Sequence, residues 1–167
     1  GWEVAALYKG QLLARQGNEP VADFWKEFLV NHPTASEVRK AYARHLVSMG
    51  RYAEARTEYE LLREAAPGSA DTSISLGLLS MQMNELGDAE RYLLEALERE
   101  HPDSDQVKVY LGQLNEGQRK YEEALKWYQD IDRGHHHFDA RLRAAVVLGK
   151  LKRVAEGRKL LQALEAT

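Results

Sequence analysis

The residues best suited to chemistry in this sequence are the three consecutive histidines His135-His136-His137. Imidazole is a good ligand for zinc or nickel. Three neighbours in a turn rarely converge on one ion, however, and no carboxylate or thiolate stands at a metal-ligand spacing from them. The triplet therefore reads as a solvated turn, and no metal or cofactor is expected. His32, His45 and His101 stand alone and read as residues near helix ends or surfaces. The acidic residues fall mostly on polar helix faces, in ordinary charge pairs such as Glu54 and Glu58 near Arg51 and Arg56. No nucleophile elbow, phosphate-cradling glycine loop or HExxH helix occurs, so the chain is not expected to be an enzyme. The absence of cysteine excludes disulfides, thiolate metal sites and a cysteine nucleophile.

Composition then bounds the elements that position these residues. With 29% charged and 44% hydrophobic residues, the chain of 167 residues is expected to fold. Ala, Leu, Glu, Arg and Lys dominate and only four prolines occur, which favours helix almost everywhere. A net charge of −3, with no basic face rich in aromatics, argues against nucleic acid as a partner. No apolar run approaches the ~18–20 residues that cross a bilayer. The chain opens on Gly1 and Trp2 with no initiator methionine or signal peptide, which suggests a piece of a longer protein.

Spacing supplies the fold. Small residues stand near the start of successive second helices at Ala55, Ala89, Ala124 and Gly157, in steps of 34, 35 and 33 residues. An independent set in the preceding helices, Ala43, Gly77, Gly112 and Ala145, repeats the same steps. Tyr42, Leu76, Leu111 and Ala144 precede the first-helix markers; Tyr59, Leu93, Tyr128 and Leu161 follow the second-helix ones four places on. Turns are signalled at Gly50-Arg51-Tyr52, Gly87-Asp88 and Arg119-Lys120-Tyr121, and Pro67 and Pro102 close two units. Two helices nest closely only where small side chains face each other and large ones fill the flanking grooves.

This pattern resembles the tetratricopeptide repeat over residues 36–167, most closely in the unit carrying Leu111-Gly112 and Ala124…Tyr128. The resemblance implies an all-α, right-handed solenoid of antiparallel helix pairs, about five in number. The expected organisation is a single domain over 1–167: a degenerate first pair at 2–35, then units at 36–69, 70–104, 105–137 and 138–167. In the first pair the apolar spacings are Ala5, Tyr8, Leu12 and Ala22, Trp25, Leu29, with Pro20 in a first helical turn. The alternative is that residues 1–18 form a frayed half-pair. Arg39, Ser73, Lys108 and Arg141 depart from the family by standing where a large apolar residue is usual. Trp25 and Trp127 read as packing residues in outer helices, and Trp2 as a cap contact or an exposed ring.

The resemblance also implies that the first helix of each pair lines a concave, ligand-facing surface. Carried over by position, that surface comprises Glu37, Lys40, Arg44, Val47 and Ser48; Asp71, Ile74, Leu78, Met81 and Gln82; Gln106, Val109, Gln113 and Glu116; and Asp139, Leu142, Val146 and Lys150. Ile74, Leu78, Met81 and Val109 form an apolar centre, which is either a groove for a peptide or helix or core buried against neighbouring helices. The carboxylate clamp of some tetratricopeptide domains is not present: Lys40 fits it, but Arg44, Ser75, Gln106 and Tyr110 replace its other members.

The phrases "YLGQ", "ALKWY" and "ARLRAA" within residues 110–145 resemble long tetratricopeptide proteins of Gram-negative bacteria, often periplasm-facing lipoproteins. One branch is an adaptor that recruits a processing protease and its substrates. The resemblance implies a scaffold that binds another protein or peptide, held at a membrane only through a lipid anchor elsewhere. A cytoplasmic location, self-association through an end helix, or service as an accessory segment of a larger enzyme are the alternatives. The last helix, Val154–Ala166, keeps Leu160, Leu161 and Leu164, where a terminal helix normally turns a polar face outward.

Overall fold

The computed structural model describes residues 1–99 and 101–166, and among them the chain is entirely helical. Ten helices follow in order: α1 (Trp2–Leu13), α2 (Asn18–Asn31), α3 (Ser36–Ser48), α4 (Tyr52–Ala65), α5 (Ala70–Gln82), α6 (Leu86–Glu98), α7 (Ser104–Gly117), α8 (Tyr121–Gln129), α9 (His137–Lys150) and α10 (Val154–Glu165). No described helix is long and apolar enough to cross a membrane. The chain forms two compact units, Gly1–Asn84 and Glu85–Thr167. In the first, each helix from α1 to α5 packs on the next, and α1 also touches α3; in the second, the same succession runs from α6 to α10. Within each unit, short connections fold consecutive helices back antiparallel.

The turns that follow α3, α5, α7 and α9 each hold one left-handed residue. Gly50, Asn84, Arg119 and Lys152 have φ of 73°, 58°, 61° and 62°, and their steps of 34, 35 and 33 residues repeat the register of the small residues. One left-handed residue lets the next amide reach back to the helix just ended: Arg51 N–H donates to the Leu46 carbonyl at 2.9 Å, Lys120 to Asn115 at 2.9 Å and Arg153 to Leu148 at 2.8 Å. The expected turn at Gly87-Asp88 is corrected by this geometry. Gly87 lies inside α6, and Asn84 makes the bend because asparagine tolerates the left-handed region.

Small residues hold the pairs close. Gly112 of α7 lies under the Tyr128 ring of α8, where any added methyl would overlap the ring; both residues are buried. Gly10 of α1 stands in the same relation to Trp25 of α2, whose Nε1–H donates to the buried Ala6 carbonyl at 3.2 Å. Gly157 meets the Ala145 carbonyl, 3.3 Å from where a Cβ would stand. The expected face of α1 is thereby corrected. Ala6 and Gly10 are its buried residues, whereas Ala5, Tyr8 and Leu12 are exposed.

Three of the four polar departures from the repeat pattern have partners shown by the structure. Arg39 pairs with Glu58 of α4 and donates to the Pro33 carbonyl at 2.9 Å, both side chains being largely withdrawn from solvent. Lys108 reaches Asp130, at the end of α8, at 2.8 Å. Ser73 is buried and donates to the Ser69 carbonyl at 3.4 Å. In the first two cases a cation's long stem covers apolar surface while its head ties the first helix of a pair to the second.

Candidate functional site

In the first unit, α3 and α5 turn the same angular sector away from their buried side. In α3, Val38, Tyr42, Ala43 and Leu46 are buried, and Lys40, Arg44 and Val47 lie on the opposite arc. Arg44 is exposed, Val47 half-buried, and Lys40 holds Glu37 of its own helix at 2.7 Å. In α5, Thr72, Ser73, Leu76, Gly77, Leu79 and Ser80 face inward, while Ile74, Leu78 and Met81 are half-buried and Gln82 is exposed. A helix with 3.6 residues per turn places residues i, i+4 and i+7 on one such arc.

Within the first unit, α1 and α3 enclose a cleft of about 450 Å³ lined by Leu7, Gln11, Trp25, Glu37, Ala41, Arg44 and His45. Of the predicted surface residues it contains Glu37 and Arg44. The floor is the Trp25 indole, which also meets the His45 ring edge-on at 5.8 Å. The His45 Nε2 lies 2.8 Å from the Asn18 carbonyl. The cleft therefore offers an apolar floor with a guanidinium and a carboxylate on its rim.

In the second unit the expected surface divides. Val109 does not line it: at 3% exposure it belongs to a cluster with Ala124, Leu125, Tyr128, Ile131, Ala140, Ala144, Val147 and Leu148. The small Ala140 and Ala144 bring α9 close enough to cover it. Gln113 is half-buried. Glu116 is held from two helices, accepting from Tyr128 Oη at 3.1 Å and from Lys150 Nζ at 2.7 Å. Burial, then the neighbouring Glu116 carboxylate, raises the Tyr128 phenol above its ordinary value, so it stays a hydrogen-bond donor. Glu116 thus braces α7, α8 and α9.

The exposed apolar surface of this unit lies on α9. Leu142 and Val146, both predicted, are 38% and 57% exposed, and Phe138 extends the line at 58%. Phe138, Leu142 and Val146 recur every four residues, opposite the buried Ala140, Ala144, Val147 and Leu148. Phe138 is absent from the predicted surface because it adjoins the histidine turn. Its i−4 spacing from Leu142 is the signal that would have found it.

The turn between α8 and α9 brings the histidines to an unexpected neighbour. Asp103, before α7, lies 3.1 Å from His136 Nε2 and 3.6 Å from His135 Nε2 through its Oδ2 atom. Its Oδ1 accepts from the Gln106 amide at 3.3 Å and caps α7. Burial opposes ionisation of Asp103, but the His136 hydrogen bond and the Gln106 amide outweigh it and hold the carboxyl below its usual range. A carboxylate does therefore face the triplet. It stands thirty-two residues before His135 in sequence and is brought there by the α7–α8 hairpin. His137 turns away, its Nδ1 lying 3.0 Å from the Ile131 carbonyl.

Residues 74–135 match the family model described as the tetratricopeptide repeat. A comparison with curated protein sequences gives no match. Among solved structures, MamA (residues 41 to the end) from Desulfovibrio magneticus RS-1 aligns with a TM-score of 0.80 at 14% identity, covering 98% of this chain and 93% of that one. PilF of Pseudomonas aeruginosa aligns at 0.76 with 19% identity, over 95% of this chain and 72% of its own. YrrB, described as a tetratricopeptide protein with an unusual peptide-binding site, aligns at 0.71 with 19% identity, over 94% and 81%. At such identities the likeness is one of fold. Residues 74–135 thus match the tetratricopeptide repeat, and the chain as a whole shares the helix-pair fold of these solved structures.

Proposed function

We propose that this chain is a non-catalytic protein-interaction module that takes a peptide or helix against the outward arcs of its first-of-pair helices. The observation that carries this reading is the line Phe138–Leu142–Val146, an apolar stripe left in water by a helix whose opposite side is fully committed to core. Covering such a stripe favours binding by roughly 1.5–3 kcal/mol for each side chain fully buried. Exposed lines of this kind with polar neighbours mark interaction sites. Half-buried Ile74, Leu78 and Met81 on α5, and the cleft beside Arg44, extend the same design in the first unit. YrrB, similar in fold, is a peptide binder by its own description. Recruitment of a periplasmic protease or its substrates is the finer form of this reading and follows from the sequence resemblance.

Selection of a displayed random-peptide library on the protein tests it. Peptides with apolar anchors should emerge, and Leu142→Asp with Val146→Asp should weaken their binding about tenfold or more while far-ultraviolet circular dichroism stays unchanged. Leu78→Asp and Met81→Asp make the matching test on α5. An empty selection, or peptides indifferent to all four changes, would overturn the reading.

A second reading, self-association through an end helix, is favoured by α1, where Trp2, Val4, Tyr8 and Leu12 are all exposed. Light scattering over a range of concentrations decides it: a constant monomer mass removes it.

A further inference from the structure

The connection between α8 and α9 runs over residues 130–136, longer than the three- and four-residue turns inside the pairs. It ends on two imidazoles whose ring centroids lie 3.9 Å apart, with their planes tilted by 46°. Both direct their Nε2 atoms to one oxygen of Asp103, and the three ligand atoms lie within 4.8 Å of one another. From these positions we propose that Asp103, His135 and His136 form a binding site for a divalent transition-metal cation of the zinc class. The cation would join the start of α7 to the start of α9.

The donor set and its dimensions suit such an ion. Zinc bonds imidazole nitrogen and carboxylate oxygen at about 2.0–2.2 Å, so two ligand atoms of a tetrahedral site stand roughly 3.3 Å apart. The two nitrogen-to-oxygen separations here, 3.1 and 3.6 Å, bracket that edge. Small side-chain rotations, chiefly of the exposed His135, complete the set, and solvent supplies the remaining position. Two imidazoles with one carboxylate select a borderline metal over magnesium or calcium, which prefer all-oxygen sites.

Backbone and cap contacts fix much of the site in advance. Asp103 spends Oδ1 on the Gln106 amide and presents Oδ2 to the histidines. His136 is the residue immediately before α9, and its side chain is only 17% exposed. The His137 contact with Ile131 anchors the end of the turn. Two helix N-termini nearby oppose a cation, so affinity comes from the ligand bonds. Binding displaces the His136–Asp103 hydrogen bond and any proton on the ligating nitrogens, and so weakens as pH falls.

Calorimetric titration with zinc chloride, repeated with cobalt(II) for its absorption bands, tests the proposal on the whole chain. The expected result is one ion per chain, with cobalt bands of four-coordinate type and a raised unfolding midpoint. Asp103→Asn keeps a side-chain oxygen to cap α7 but loses the anionic ligand; it should weaken binding about tenfold or more and abolish the stabilisation. His135→Ala, at an exposed position, should do the same without disturbing the fold. His32→Gln, in the other unit, should change nothing. No uptake, or uptake insensitive to Asp103→Asn, would overturn the proposal; the latter would mark adventitious capture by the histidine run.

Discussion

The α1–α2 and α7–α8 hairpins solve one packing problem with different aromatics. In both, a glycine in the first helix lies beneath a ring from the second: Gly10 under Trp25, Gly112 under Tyr128. The Trp25 Nε1–H ends on the Ala6 carbonyl of the partner helix, a bond that stays inside the hairpin. The Tyr128 hydroxyl ends on Glu116, which also holds Lys150 of the following pair. A ring over glycine therefore sets how closely two helices nest, and the polar atom at its rim decides whether the hairpin is closed on itself or tied onward. Burial follows suit: Tyr128 is fully enclosed, whereas Trp25 keeps 8% exposure and floors an open cleft.

The sharpest way to break this comparison is to add one methyl to each glycine. Gly112→Ala should destabilise the second unit by about 1–3 kcal/mol, the usual range for overpacking, after any gain in helix propensity. Gly10→Ala should cost less, because Trp25 has an open cleft beside it. Urea unfolding followed by circular dichroism and tryptophan fluorescence ranks the two, and equal losses would remove the distinction. Removing the rim contact is milder. Tyr128→Phe keeps the ring and loses the bond to Glu116, and an equilibrium melt should show about 0.5–1.5 kcal/mol lost.

Smaller still is the effect of easing the turns. Lys152→Gly and Arg119→Gly relieve a left-handed conformation that disfavours side chains, and each should stabilise by up to about 1 kcal/mol at constant helix content. Gly50→Ala should move the midpoint the other way. The least effect concerns two matching surface clusters, Arg51 with Glu54 and Glu19 in the first unit, and Arg153 with Glu156 and Glu122 in the second. The hydrogen-bonded guanidinium holds the Glu54 and Glu156 carboxyls below their usual range. A carboxyl depressed on folding contributes stability above its unfolded value, near pH 4.5, and loses it as pH falls through the folded one. Glu54→Gln and Glu156→Gln should therefore flatten the acid limb of stability slightly and leave the neutral value almost unchanged.

The repeat register was legible because close approach of two helices demands small residues, and those leave a periodic trace from Ala43 to Gly157. The face of α1 was less so. Its sequence WEVAALYKGQLL is apolar nearly all round, and periodicity cannot choose a side. Gly10, thirty-three residues before Ala43, was the usable sign. Position in the repeat leaves Val109 between groove and core, because whether such a residue meets water depends on the size of Ala140 and Ala144 one pair later. Leu142 and Val146 did fall in the open, and Phe138 completes their line. The nearness of Asp103 to the histidines was invisible because a hairpin's geometry, rather than local spacing, creates it.

The helix α3 has no side-chain cap of its own; Ala35 precedes it, and the Glu3 Oε2 atom, from α1, accepts from the Glu37 and Val38 amides at 2.8 and 3.3 Å. By contrast, Ser69 and Asp103 each cap the helix that follows them. The hairpins are consequently not interchangeable cassettes. A shortened or shuffled chain that discards residues 1–17 would leave the 36–48 helix with bare leading amides, so boundaries for any excised fragment should respect who donates the cap as well as where the turns fall.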